Sequence, residues 1–247
     1  MKKAELMAVW GETGHARNAA MYLQRRYTND WNPVLISTPP GVKGPRTAGW
    51  DLLTPTEKDI AGWDDHCGLM LLGDRGPVRI LCIDGDTHDP SKNGRGFLED
   101  WEDSEGAIEG WRMETPSGGI HIYVPYVESV MGPVPAGGIH FPEIGVDFLF
   151  RTMIYGSYAG GSYRWLPGCD PEQIVWEDLE TGAWNQSLIN RTKAFFDYAR
   201  QAEEERKEAR KILTGVQNER GGGKVSTGTI RIGERAVTLI ADAGRII

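Results

Sequence analysis

The stretch Arg79-Ile80-Leu81-Cys82-Ile83-Asp84-Gly85-Asp86 restricts the fold more than any other part of the chain. Ile80–Ile83 is an unbroken apolar run of strand length, which suits a strand inside a sheet, and it runs straight into two carboxylates. Residues two apart on a strand share a face, so the pattern predicts Asp84 and Asp86 projecting together from its carboxyl end. Two close carboxylates repel, and the arrangement costs free energy unless a cation neutralises it. Oxygen donors at this spacing suit Mg²⁺ or Mn²⁺. The same tripeptide is also good turn chemistry, so the motif alone leaves both readings open. An EF-hand calcium loop does not fit, because the positions that need Gly and Glu hold Asp89 and Arg95.

The flanking sequence alternates short apolar runs with Gly and Pro punctuation. Ala16–Tyr27 has apolar residues at helical spacing with basic residues opposite, which predicts an amphipathic helix. Asn32-Pro33 breaks it, and Val34-Leu35-Ile36 reads as a buried strand. Thr38–Trp50 is a Pro/Gly-rich loop carrying two cations, Lys43 and Arg46. Thr54–Trp63 predicts a short helix with Thr54 as N-cap, Pro55 at the first position and Glu57 closing a capping box. Gly68–Leu72 and Arg79–Ile83 read as neighbouring strands about a Gly73–Pro77 turn.

Beyond the Asp-Gly-Asp run, a polar loop at Thr87–Gly94 leads to an acidic helix at Gly96–Glu105. Strands follow at Trp111–Thr115, Ile120–Val124, Gly145–Phe150 and Met153–Tyr155, ending near Ser162-Tyr163-Arg164-Trp165. Ser187–Leu213 has the charge density and spacing of a long helix, with Phe195, Phe196 and Tyr198 anchoring its start. The tail beyond Gly215 reads as Gly-rich and then weakly helical. It ends mid-pattern on Arg245-Ile246-Ile247, which points to a longer polypeptide.

At 247 residues the chain has length for one large domain, or for a domain with an appendage. The division expected is 1–180 for the main domain and 181–247 for a helical C-terminal segment. No stretch approaches ~18 consecutive apolar residues, the length of a membrane-spanning helix. The two early lysines have no apolar run behind them, so no secretory signal is read. Cys67, Cys82 and Cys169 cannot build a disulfide framework, which suits a cytoplasmic protein, and they lack the paired spacing of a zinc site. With 27 Lys and Arg against 35 Asp and Glu, the net charge of −8 argues against broad coating of nucleic acid but allows a local basic groove.

Two further elements bear on chemistry. In Pro116-Ser117-Gly118-Gly119-Ile120-His121-Ile122-Tyr123 the glycines make a turn that lets backbone approach a ligand, and the strand aims His121 and Tyr123 at one face. A histidine there can donate to a phosphate or simply pack. Gly-Gly-Ile-His recurs at Gly137–His140, but His140 precedes Phe141-Pro142 and reads as a loop residue. Asp147 sits within Val146-Asp147-Phe148-Leu149-Phe150, where a charge needs a partner or solvent. Three carboxylates and a histidine on one sheet make the pattern that two-metal phosphoryl chemistry needs.

The order Asp-x-Asp, Ser-Gly-Gly-x-His-x-Tyr, then an apolar strand with a single Asp resembles the archaeo-eukaryotic primase superfamily. More narrowly it resembles the bifunctional primase-polymerase (prim-pol) domain of plasmid, phage and mobile-element replication proteins. Lys43-Gly44-Pro45-Arg46 with Gly49-Trp50, and Thr115–Tyr123, are similar to further motifs of that family, and the likeness covers roughly residues 16–167. It implies an α/β (α+β) prim-pol fold: a mixed central sheet with an RRM-like catalytic core flanked by helices, plus a C-terminal helical segment. It implies Asp84, Asp86 and Asp147 as catalytic ligands of a Mg²⁺ or Mn²⁺ pair, with no zinc. His121 would meet the incoming triphosphate, with Ser117, Gly118 and Gly119 shaping the pocket and Lys43, Arg46 and Arg151 as phosphate contacts. The implied activity is a DNA primase/polymerase acting on single-stranded DNA with (d)NTPs, in the cytoplasm of a prokaryotic or phage-infected cell. A helicase or other replication domain would be its partner. Two departures stand out: Gly85 replaces a more hydrophobic residue, and Ile154-Tyr155-Gly156-Ser157 replaces the Gly-Gly-Tyr-Val-Val-x-Pro-Pro-Ser run.

The same carboxylates would also serve a metal-dependent nuclease or phosphodiesterase, and a non-catalytic nucleic-acid-binding module on the same fold is the third possibility. Gly221-Gly222-Gly223-Lys224 is no phosphate loop, because Asn218 and Val225 stand where Gly and Ser or Thr are required. The acidic run Glu99–Glu109 reads as a solvent face. Lys207, Arg210 and Lys211 are interleaved with glutamates, so a solvated helix is preferred to a template contact.

Overall fold

The computed structural model describes residues 16–26, 33–46, 48–75, 79–89, 91–158, 160–171, 176, 185–219, 228–232, 235–239, 241–242 and 245–246. The opening stretch, the Asn32 break, Gly76-Pro77 and Gly221-Gly222-Gly223-Lys224 fall outside them. The elements run α1 (Ala16–Arg26), β1 (Val34–Thr38), α2 (Glu57–Ala61), β2 (Gly68–Leu72), β3 (Ile80–Gly85), α3 (Gly94–Glu105), β4 (Trp111–Glu114) and β5 (Ile120–Pro125). They continue as α4 (Glu128–Met131), β6 (Ile139–Phe141), β7 (Val146–Leu149), β8 (Arg151–Tyr155), β9 (Ser157–Tyr158), β10 (Gly161–Ser162), β11 (Arg164–Trp165) and α5 (Gln186–Glu219). Four short strands close the chain: β12 (Gly228–Ile232), β13 (Arg235–Leu239), β14 (Ala241–Asp242) and β15 (Arg245–Ile246).

The fold is mixed α/β, and among the described residues every strand pairing is antiparallel, where a mixed central sheet was expected. The main sheet has six strands in the order β11-β4-β5-β3-β7-β6, and β1-β2-β8 form a second sheet. The expectation that β2 and β3 are neighbours fails for this reason: they lie in different sheets. Gly73 turns the chain between them, its amide donating to Phe150 O at 2.6 Å and its carbonyl accepting from Ile80 N at 2.8 Å. A Cβ on Gly73 would sit 1.9 Å from Ile80 O, so only glycine can occupy this crossing.

Side-chain alternation gives the main sheet two distinct faces. Phe141 and Phe148 point to the face covered by α3 and α5, where Phe148 meets Phe196 edge-on at 4.7 Å and Trp101 meets Phe195 at 5.1 Å. Phe195 and Phe196 are fully buried there, as the sequence anticipates for the start of the long helix. Glu102 departs from the expected solvent face of α3. It turns inward to Arg112, with Nη1 to Oε2 at 2.9 Å, and accepts from Ile108 N at 2.7 Å. On the opposite face, Tyr123 Oη donates to Met153 O of β8 at 2.9 Å, tying the two sheets together.

Local rules account for most boundaries. α2 starts two residues later than expected, because Thr56 and Asp59 form the capping box while Thr54 Oγ1 accepts from Arg75. β6 and α4 carry too few residues to show a period and were not foreseen. In the tail, Gly228–Ile232 pairs with Arg235–Leu239 and Ala241–Asp242 with Arg245–Ile246 as antiparallel strands where weak helix was expected; Thr229, Ile230, Ile232, Val237 and Thr238 are β-branched and favour extended backbone. No helix among the described residues is long and apolar enough to cross a membrane.

Candidate active site

Strand pairing sets Asp84 at the centre of a row that crosses the main sheet. On one side it stands opposite His121 of β5, which in turn faces Met113 of β4. On the other it stands opposite Asp147 of β7, which faces His140 of β6. Residues directly opposite in a sheet share a face, so all five side chains leave the sheet on the side away from α3 and α5.

The row runs from core to solvent. Side-chain exposure rises from 4% at His121 through 20% at Asp84 and 34% at Asp147 to 58% at His140. His121 is fixed from behind. Tyr123 Oη places its hydrogen on Met153 O, so it accepts from His121 Nδ1–H at 2.9 Å, and Thr152 Oγ1 donates to it at 3.3 Å. That leaves His121 Nε2 facing Asp84 Oδ1 at 3.4 Å. Burial by itself favours a neutral His121, but the charge of the Asp84 carboxylate and its hydrogen bond oppose this and raise the His121 pKa above the ordinary imidazole value. Burial likewise opposes ionisation of Asp84. His121 first, then Lys43 and His88, reverse that and hold its pKa below the usual carboxylate value.

Asp147 differs. Burial and the charge of Asp84 raise its pKa, against the bond it accepts from His140 Nδ1 at 3.1 Å. His140 in turn is raised by that bond, and its Nε2 donates to Gly137 O at 3.2 Å. Like charges directly across two strands are destabilising. Asp84 and Asp147 therefore form a half-buried carboxylate pair with a histidine on each flank and an opening on the Asp147 side. Hard oxygen donors held against their own repulsion fit a divalent cation.

Asp86 stands apart from the expected pair with Asp84. β3 ends at Gly85, so strand alternation does not carry through to Asp86. Its carboxylate accepts from Thr87 N at 2.6 Å and His88 N at 3.1 Å and contacts His88 Nδ1, an Asx-type turn. Among the described residues no three His, Cys, Asp or Glu side chains converge as a metal cage would require.

Close backbone packing surrounds Asp84 and explains Gly85. The N-terminus of α3 lies against β3, so a Cβ on Gly85 would be 3.1 Å from Arg95 Cα, and one on Gly94 would be 1.8 Å from Gly145 O. Gly94 N donates to Asp86 O, and Asp86 N donates to Gly145 O. The β4–β5 turn completes this junction. A Cβ on Gly119 would be 2.7 Å from Gly85 O, Gly118 has φ +85°, and Thr87 Oγ1 donates to Ser117 O at 2.9 Å. Ser117, Gly118 and Gly119 thus border the carboxylates.

The cations divide into two groups. Lys43 is close enough to Asp84 to help hold its pKa down, and Arg46 is exposed in the same loop. Arg151 is not brought to the carboxylates. It lies at the Leu72 end of β8, bound to Asp74 at 2.9 Å and Asp51 at 3.6 Å, with its guanidinium over Trp50. Lys207, Arg210 and Lys211 pair with Glu204, Glu143 and Glu208 respectively.

Sequence reasoning set His140 aside as a loop residue, whereas it lies in β6 opposite Asp147. The available signal was the second Gly-Gly-Ile-His copy at Gly137–His140, shortly before the β7 strand, but a three-residue strand shows no readable period. Neither the protein-family models nor the curated proteins compared with this chain match it.

Proposed function

We propose that the chain is a template-dependent nucleotidyltransferase of the primase-polymerase type, acting on single-stranded DNA with nucleoside triphosphates. The observation that carries this reading is the pairing of Asp84 with Asp147 across β3 and β7, backed by a buried His121 and bordered by the Ser117-Gly118-Gly119 turn. Asp84 and Asp147 would hold Mg²⁺ or Mn²⁺, and Asp86 would join by releasing its bonds to Thr87 and His88. A divalent ion held there would supply the acidity that lowers the pKa of an attacking 3′-hydroxyl and positive charge to offset that on the departing pyrophosphate. His121, fixed by Tyr123, keeps Asp84 ionised and presents Nε2–H on the same face of the sheet. Lys43 and Arg46 supply positive charge to phosphates in a chain whose net charge is −8.

The test is nucleotide incorporation on a single-stranded template with Mg²⁺ or Mn²⁺, with and without a primer, for the wild type and for Asp84→Asn and Asp147→Asn. The expected result is metal-dependent product that falls at least about 100-fold in either variant, with the no-primer lane separating priming from extension. A shortened template would replace this reading with a nuclease. A second reading, a non-catalytic nucleic-acid-binding module, draws on the engagement of Asp86 within its own turn. Template binding without product from well-folded wild type would establish it.

A further inference from the structure

The short hairpin β9–β10 stands beside the carboxylate row and has no role in the reading above. Its seating is tight: a Cβ on Gly161 would be 2.6 Å from Pro116 O and 2.9 Å from Pro116 Cα, so the hairpin lies directly against the β4–β5 turn. Ser157 Oγ and Ser162 Oγ bond across it at 2.9 Å, and Tyr163 N donates to Gly156 O at 3.0 Å, which pins its base. Tyr158 is directly opposite Gly161 in the pairing. Paired residues share a face, so Tyr158 stands on the side of the hairpin turned toward Pro116 and the turn. It is nevertheless 42% exposed, one of few large apolar side chains so open among the described residues.

Tyr163 follows the hairpin and packs its ring against His121, with centroids 5.7 Å apart and planes tilted by 43°. The residue is only 6% exposed, but its hydroxyl is not one of the buried unpartnered polar atoms and no described residue bonds it, so that group reaches solvent at the surface of the site. Burial, with the charges of Asp84 and Cys82 and the nearby Tyr158 hydroxyl, raises its pKa, so the phenol stays protonated and able to donate beside the carboxylate row.

We propose that Tyr158 and Tyr163 form the wall of the site that receives the nucleoside half of a nucleoside triphosphate, Tyr158 stacking on the base and the Tyr163 hydroxyl bonding the sugar. This rests on the nucleotidyltransferase reading and adds the element that distinguishes a nucleotide from a bare polyphosphate. Stacking on an aromatic ring is indifferent to base identity, because every base has a π-face. A template-dependent enzyme needs that indifference, since the template selects the base.

The test is equilibrium binding of dATP and of inorganic tripolyphosphate, each with Mg²⁺, to the full chain and to Tyr158→Ala, Tyr158→Phe and Tyr163→Phe. Tyr158 is exposed and Tyr163→Phe removes only a hydroxyl, so a folding defect is not expected in any of them. The expected result is dATP binding about 5- to 150-fold tighter than tripolyphosphate, a preference lost in Tyr158→Ala, kept in Tyr158→Phe and weakened in Tyr163→Phe. Equal binding of the two probes by the wild type, or a dATP preference unchanged in Tyr158→Ala, would overturn the tyrosine wall while leaving the metal-and-triphosphate site standing. Binding of neither probe would overturn both readings.

Discussion

At the scale of single residues, burial and partners decide which chemistry each group can offer. His121 and Asp84 are held charged by each other, whereas Asp147 is pushed toward its neutral form by burial and by Asp84. The thiols follow the same rule. Cys67 is 4% exposed, and burial, with Asp64 and Asp65 beside it, pushes its pKa up to about 11. Because the folded value lies above the ordinary 9.0, the neutral thiol contributes stability fully below pH 9 and loses it as pH rises through about 11. Alkylation by iodoacetamide at pH 8, followed by peptide mass analysis, should therefore label the half-exposed Cys169 while sparing Cys67 and Cys82. Labelling of Cys67 should appear only as the pH approaches 11, and equal rates for Cys67 and Cys169 at pH 8 would contradict this packing.

At the scale of elements, the long helix α5 does more than cover aromatic rings. Glu203 is fully buried on it, and its Oε2 accepts from Glu143 N at 2.8 Å. Arg206 donates to Glu143 O at 2.8 Å, and Arg210 pairs with the Glu143 carboxylate. Glu143 lies in the β6–β7 turn, whose Gly145 carbonyl receives Asp86 N and whose strands carry His140 and Asp147. The helix therefore clamps the turn that positions one half of the carboxylate pair. Glu203→Ala should cost about 1–3 kcal/mol in urea unfolding, because the Glu143 amide loses its buried acceptor. Hydrogen exchange at Glu143–Gly145 should accelerate in that variant, while Glu203→Gln, which keeps an accepting oxygen, should change both far less. Unaltered exchange in Glu203→Ala would show that the turn holds itself.

At the scale of the whole molecule, a chain with eight more acidic than basic residues sets two of its carboxylates opposite each other on adjacent strands of its main sheet. Any cation bound there stabilises the folded state by mass action. At a concentration of Mn²⁺ or Mg²⁺ one hundred times the dissociation constant, the gain should be about 2.7 kcal/mol. Thermal unfolding should show this as a raised midpoint in the wild type that disappears in Asp84→Asn and in Asp147→Asn. Equal shifts in all three proteins would place the bound ion elsewhere. This readout needs no substrate, so it tests the cation site independently of nucleotide transfer.

Several features of this molecule are local and therefore visible in one dimension. The apolar run into Asp84 sets a buried strand with a carboxylate at its end, the Ser117-Gly118-Gly119 turn sets the β4–β5 hairpin, and the dense charge pattern of Ser187–Leu213, with opposite charges three and four residues apart, sets a long helix anchored by Phe195 and Phe196. Each follows from a period or a turn preference spanning a few residues. What the tertiary structure alone decided is which strands meet. β2 left β3 for β1 and β8, and the register of the three-residue β6 brought His140 to Asp147. Asp86 turned into its own loop once β3 ended at Gly85, where the backbones of α3, β3 and the turns at Gly119 and Gly145 come too close for any side chain. These outcomes depend on pairings between segments tens of residues apart, and a local pattern fixes which face a side chain takes but not which strand arrives beside it.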